Sequence, residues 1–210
     1  MTPFVDSWRR AWSAIGAHGD GHRVMNDLLD RYSEPHRRYH TLQHLAECIA
    51  TLETHTHLVL HPGELELALW FHDAIYDPHA SDNEARSATL AEVAVMEGTG
   101  SKVAATRTRD LILATRHSNQ PTDDDQRVLM DIDLWILGAP SDRFDEYERQ
   151  VREEYGWVPQ ETYCTKRSAI LQGFFDRPSI YGTTCFQAEL ESRARANLQR
   201  SIKRLVAHCP

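Results

Sequence analysis

Three short stretches of this chain set costly polar groups into apolar text. LWFHDAIY (69–76) places His72 beside Asp73, RYHTLQHL (38–45) carries His40 and His44, and LMDIDLWILG (129–138) carries Asp131 and Asp133. Imidazole and carboxylate are the side chains that hold a divalent ion through mixed nitrogen and oxygen ligands, and burying them without partners is expensive. Four such burials, at His44, His72, Asp73 and Asp133, with separate compensations are harder to accept than one shared purpose. A lone His-Asp pair would carry little weight, since a chain with twelve histidines supplies about one by chance.

Spacing strengthens the case. On a helix, residues four apart share a face, so His40 and His44 can address one groove. Neighbours lie about 100° apart around the axis, so His72 and Asp73 converge only on something lodged among helices. A metal ion held by His44, His72, Asp73 and Asp133 meets that requirement and leaves positions for water and a substrate oxygen. The absence of thiolate from this set favours manganese, iron, cobalt, nickel or magnesium, as one ion or two, over a closed structural zinc. Such an ion lowers the pKa of bound water and polarises a phosphoryl oxygen.

The elements that position these groups read as helices. Three-or-four-residue apolar steps run through Phe4, Trp8, Trp12 and Ile15, through Val24, Leu28 and Tyr32, through Leu42, Leu45, Ile49 and Leu52, and through Leu65 and Leu69. Further helices are expected over Asn83 to Glu97, Val103 to Ala114, Asp123 to Leu137, Ser141 to Glu154, Glu161 to Phe175 and Cys185 to Val206. Breaks at His61-Pro62-Gly63, Gly98 to Gly100, Gln120-Pro121, Gly138 to Pro140 and Arg177-Pro178 fall between them. No stretch shows a period of two. The expected class is all-α, a compact helical bundle. The acidic run Thr122 to Asp125 reads as a helix cap, and the five tryptophans, at helical spacing, read as core rather than as base-stacking platforms.

At 210 residues one domain is expected, with the site core at about 32–138 and C-terminal helices over 141–207 packing on it. The net charge of −8 disfavours a polymeric nucleic-acid partner but not a small phosphorylated ligand. The first ten residues lack an apolar signal core and no later run approaches a membrane span, so a cytoplasmic protein without a membrane partner is expected. Cys48, Cys164, Cys185 and Cys209 form no CxxC pair and suggest no disulfide framework. A homo-oligomer remains open.

At the quoted residues the chain resembles the HD superfamily of metal-dependent phosphohydrolases, whose order His, His-Asp, Asp is matched by His44, His72-Asp73 and Asp133. It is more similar still to a small bacterial branch of that superfamily, through RYHTLQHL, WFHDAIYD, DNEARSA, ILATRH and MDIDLWILG, with looser similarity in EYERQVREEY and ELESRARANL. The resemblance implies an HD-type helical core hydrolysing a phosphate monoester, with a nucleotide or other small phosphorylated metabolite as substrate. A phosphodiesterase on a cyclic or short linear nucleotide, or a nucleotide-binding module without turnover, are the alternatives. It also implies that His40 is the general acid, although a hydrogen bond orienting His44 would suit it equally. Leu134 stands where the triphosphohydrolase branch has a lysine, YHT replaces the YHN of the phosphodiesterases, and no GYP accompanies the pair.

Secondary candidates carry two readings each. His117 binds a second metal or a phosphate, or simply favours a helix C-terminus. Glu84 acts as general base or, with Asn83 as a substrate contact, belongs to a helix start. Arg38 and Arg167 grip phosphate through their planar forks or form ordinary ion pairs.

Overall fold

Pro62 opens the helix that organises the first part of the molecule, because its missing N–H is one that a first turn leaves unbonded anyway. In the computed structural model, which describes residues 3–116 and 120–208, that helix, α4 (Pro62–Phe71), is apolar almost all round. Leu65, Leu67, Ala68, Leu69, Trp70 and Phe71 are all completely buried. A helix without a polar face has to be enclosed, and α4 packs against α1 (Pro3–Ala14), α3 (Leu42–His55), α5 (Asn83–Thr99) and α6 (Lys102–Ala114). Each large apolar side chain so enclosed stabilises by about 1.5–3 kcal/mol relative to exposure.

The chain divides into two compact units, Met1–Ile132 and Asp133–Pro210. The first contains α1, α2 (His22–Tyr32), α3, a 3₁₀ turn at Thr56–Leu58, α4, α5, α6 and all but the last residue of α7 (Asp124–Asp133). Trp8 and Trp12 stack at 5.1 Å, and Trp70 meets Trp8 edge-on at 5.2 Å. The one carboxylate of α4 in this core, Glu66, is satisfied by the Ser7 hydroxyl at 2.6 Å and by Arg10 Nε at 3.0 Å. Thr41 caps α3 by accepting from the Gln43 N–H, and Ser101 caps α6 by accepting from Ala104. The acidic run behaves as expected of a cap: Asp123 accepts from the Gln126 N–H at 2.8 Å. Asp125, buried, holds the approach to α4 by accepting from the Leu60 and His61 N–H groups at 2.7 and 3.0 Å.

The second unit holds a 3₁₀ segment, Leu134–Gly138, then α8 (Ser141–Glu154), α9 (Gln160–Phe175) and α10 (Thr184–His208). Phe144, Leu171, Phe186, Ala194 and Leu198 are fully buried there. Asn197 donates to the carbonyls of both Leu137 and Ala139 at 2.9 Å, so one buried amide closes the irregular backbone after the 3₁₀ segment. Cys164 is disulfide-bonded, which corrects the expectation from cysteine spacing.

The all-α class holds, with ten α-helices and no strand among the described residues. The expected helix over Asp123 to Leu137 instead leaves α geometry at Asp133 and tightens to 3₁₀ through Gly138. No helix of the described residues is long and apolar enough to cross a membrane. Trp8, Trp12 and Trp70 are core residues, whereas Trp157 is 55% exposed.

Candidate metal centre

His72 follows α4 directly, still in helical conformation, with its N–H bonded to the Ala68 carbonyl at 2.9 Å. Its Nδ1 lies 2.8 Å from the Leu69 carbonyl oxygen, which can only accept, so Nδ1 carries the proton. When the ring is neutral, as ligation requires, the lone pair is therefore on Nε2. This is how a ligating histidine is held in one tautomer and one orientation.

His44 reaches the same point from the first turn of α3, with 2% of its surface exposed. The two Nε2 atoms are 3.0 Å apart. Asp73 Oδ2 lies 2.9 Å from His72 Nε2 and 3.4 Å from His44 Nε2. With metal–ligand bonds of about 2.1 Å, adjacent ligand atoms stand about 3.0 Å apart at a right angle and about 3.4 Å apart at the tetrahedral angle. The three observed separations span that interval, so the residues present fit a divalent ion. Cys48, one turn after His44, has Sγ almost equally far from both His44 ring nitrogens, at 3.7 and 3.8 Å, which puts the thiol over that ring or at its Cε1 edge and away from an ion seated on Nε2.

The electrostatics agree with this donor set. Burial works to raise the Asp73 pKa, but the charges of His72 and His40 and the hydrogen bonds from His44 and His72 outweigh it and hold the carboxyl well below the usual range. Asp73 is thus an anion ready to ligate. The Tyr32 hydroxyl, on a residue only 1% exposed, has no hydrogen-bond partner among the described residues. Burial pushes its pKa up to about 12, and its electrostatic neighbours include His72, Asp73 and His44. An unsatisfied polar atom of this kind costs about 1–3 kcal/mol unless something else occupies its surroundings.

Arg37 fixes the backbone around these ligands. Its side chain is wholly buried, and Nη1 donates to the carbonyls of His40 at 3.1 Å and Asp73 at 2.7 Å. Nη2 donates to the Ala74 carbonyl at 3.1 Å, Nε pairs with Glu34, and the guanidinium sits over the rings of Tyr32 and Tyr76. The two histidine segments are tied through one rigid fork. Sequence reasoning passed over Arg37 for its neighbour; the only available signal was a glutamate three residues earlier in a proline-containing loop.

His40 is half-buried, with its ring 4.1 Å from that of Tyr76 in a stack and edge-on to His44 at 6.0 Å. It stands beside His44 and packs on Tyr76. Asn83 is occupied structurally: its side chain donates to the Asp77 carbonyl and accepts from the Asp77 N–H, at 2.9 and 3.1 Å. With Ser87 accepting from the Ile75 N–H, it fastens the segment after the His-Asp pair to α5. Glu84 is half-buried in the first turn of α5, without a hydrogen-bond or ion-pair partner among the described residues. Arg38 is exposed and folds back onto the carbonyls of Pro35 and Arg37.

Asp133 is the last residue of α7 and the first of the second unit, half-buried, and its charge acts on Tyr147 of that unit. Arg167, also in the second unit, is buried and paired with Glu148, which in turn accepts from Ser201. Burial would lower the Arg167 pKa, but Tyr147 and Glu148 raise it, so the guanidinium serves an internal ion pair. His117 lies outside the described residues. No family model matches the chain, and no curated protein or solved structure is significantly similar to it.

Proposed function

We propose that the protein is a divalent-metal-dependent phosphohydrolase of the HD superfamily, acting on a nucleotide or another small phosphorylated metabolite. The observation that carries this reading is the mutual spacing of His44 Nε2, His72 Nε2 and Asp73 Oδ2, 2.9–3.4 Å, which fits ligation of one divalent ion. The motif order His, His-Asp, Asp in the sequence, matched by His44, His72-Asp73 and Asp133, points to the same superfamily. A divalent ion held there supplies Lewis acidity towards a phosphoryl oxygen and lowers the pKa of water.

The chain's own residues divide the remaining work. His72 and Asp73 present fixed donor atoms because α4 and the Arg37 clamp hold their backbone. His40, stacked on Tyr76 at the edge of the ligand group, gives its proton to the leaving oxygen of the ester. Glu84, an unpartnered carboxylate, accepts a proton from the attacking water. The net charge of −8 disfavours a nucleic-acid polymer but not a small phosphorylated ligand.

The test is release of phosphate or nucleoside from mononucleotides, cyclic nucleotides and dinucleotides by metal-stripped protein resupplied with manganese, cobalt or magnesium. Turnover that requires metal and appears with mononucleotides supports the reading. Turnover confined to cyclic nucleotides or dinucleotides replaces it with a phosphodiesterase, and metal binding without turnover replaces it with a binding module.

A further inference from the structure

Residues 74–77, just after the His-Asp pair, lie outside any helix, yet side chains bond their backbone from two directions. In a trans peptide the C=O and N–H point opposite ways, so one planar unit can be gripped at both ends. The Ala74–Ile75 unit is held in this manner: Arg37 Nη2 donates to the Ala74 carbonyl at 3.1 Å, and the Ile75 N–H donates to Ser87 Oγ at 2.9 Å. The Tyr76–Asp77 unit repeats the pattern. His36 Nε2 donates to the Tyr76 carbonyl at 2.8 Å, and the Asp77 N–H donates to Asn83 Oδ1 at 3.1 Å. Arg37 and His36 belong to the loop between α2 and α3, which leads to His40 and His44. Ser87, fully buried, and Asn83 belong to α5, four residues apart and hence on one face.

We infer that Ser87 and Asn83 are positioning residues for the Asp73 carboxylate, the α5 jaw of a clamp whose other jaw is Arg37 and His36. The inference rests on the metal reading of His44, His72 and Asp73. Arg37 holds two successive carbonyls, that of Asp73 through Nη1 at 2.7 Å and that of Ala74 through Nη2 at 3.1 Å. A tilt of the Ala74–Ile75 plane therefore pulls on the same planar fork that fixes Asp73. Ser87 holds the far end of that plane and opposes the tilt. Without its hydroxyl the part-buried Ile75 N–H has to turn towards another acceptor. Asn83 does the same for the Tyr76–Asp77 unit, and the Tyr76 ring carries His40 in a stack at 4.1 Å. The DNEARSA stretch thus acts on the centre through the backbone, keeping Asp73 Oδ2 at 2.9 and 3.4 Å from the two histidine nitrogens.

Cobalt(II) titration of the metal-stripped full chain, followed by its visible ligand-field bands, tests this without reference to turnover. Ser87→Ala is expected to lower cobalt affinity about threefold to tenfold and to alter the bands, less than the roughly 10–100-fold lost with a partner bonded directly to a ligand. Gly98→Ala is the control for stability alone: it lies on the same helix, where a Cβ would meet Trp12 instead, and should leave affinity and bands as in wild type. Wild-type affinity in Ser87→Ala, or an equal loss in Gly98→Ala, overturns the positioning role and leaves the metal centre standing. No cobalt binding by the wild type overturns the metal reading itself, and the inference with it. Should Ser87→Ala fold poorly by circular dichroism, Asn83→Ala, at the exposed end of the strip, carries the test. A loss of at least about twofold is expected there, partly recovered in Asn83→Asp, which keeps an acceptor for the Asp77 N–H. Wild-type affinity in Asn83→Ala then overturns the inference.

Discussion

Arg37 donates to the main-chain carbonyl of Asp73 at 2.7 Å, and the same nitrogen donates to the carbonyl of His40 at 3.1 Å. A side chain that is not itself a candidate ligand therefore ties together the segments that carry His40 and Asp73. Arg37→Ala leaves three carbonyls, one buried and two part-buried, without their donor and is expected to cost about 2–4 kcal/mol. Arg37→Lys should recover only part of this, because an ammonium group cannot reproduce the fork. Urea unfolding of the metal-free protein measures both, and a midpoint equal to wild type for Arg37→Ala would remove the clamp from the account.

Loss of a ligand should separate metal binding from folding. His72→Ala and Asp73→Ala are expected to weaken metal binding by more than about 100-fold and abolish metal-dependent hydrolysis, with helical content largely unchanged. Calorimetric metal titration and circular dichroism on the same samples check this. Residual activity equal to the parent would sink the assignment.

Gly98 offers a test of sign. In an ordinary helix, replacing glycine by alanine stabilises by about 1 kcal/mol. A Cβ at Gly98 would lie 2.6 Å from the indole of Trp12, itself buried and stacked on Trp8. Gly98→Ala is expected to destabilise by about 1–3 kcal/mol, as overpacking does, and a gain in thermal midpoint would contradict that packing.

In the second unit Asp145 accepts from Arg200 at 3.0 Å and Arg204 at 2.9 Å. Burial works to raise its pKa, but the two arginines prevail and lower it. A carboxyl depressed in the folded state adds stability above its unfolded pKa of about 3.9 and loses it as pH falls through the folded value. Asp145→Asn should therefore cost up to about 1 kcal/mol at pH 7, given partial solvent screening, and the gap to wild type should narrow below about pH 4. Denaturant unfolding at the two pH values is the measurement; a constant gap would refute the ion pair as its source.

The helices were legible because their apolar steps and their breaks are local signals. α8 runs from Ser141 to Glu154 as expected, and α6 and α9 differ by one residue at their starts. The end of α7 was not legible: Leu134, Ile136, Leu137 and Gly138 are all buried, so periodicity cannot tell a tightened 3₁₀ segment from a continuing helix. Tyr181 and Leu190 crowd Gly138, a close approach visible only once the unit has folded. Within the candidate site, His44, His72 and Asp73 declared themselves by polarity in apolar surroundings. Arg37 did not, because it acts on backbone carbonyls. Asn83 was visible, but its task of holding the Asp77 backbone was not.

The enclosure of α4 on every side also governs the order of events when an ion arrives. Amides in the middle of so buried a helix should open to hydrogen exchange only when the whole first unit unfolds. His72 and Asp73 follow its last turn, so their donor atoms inherit that rigidity before any ion is present. In a zinc finger the ion brings the fold into being; here any ion that binds would meet donor atoms already held by a folded helix.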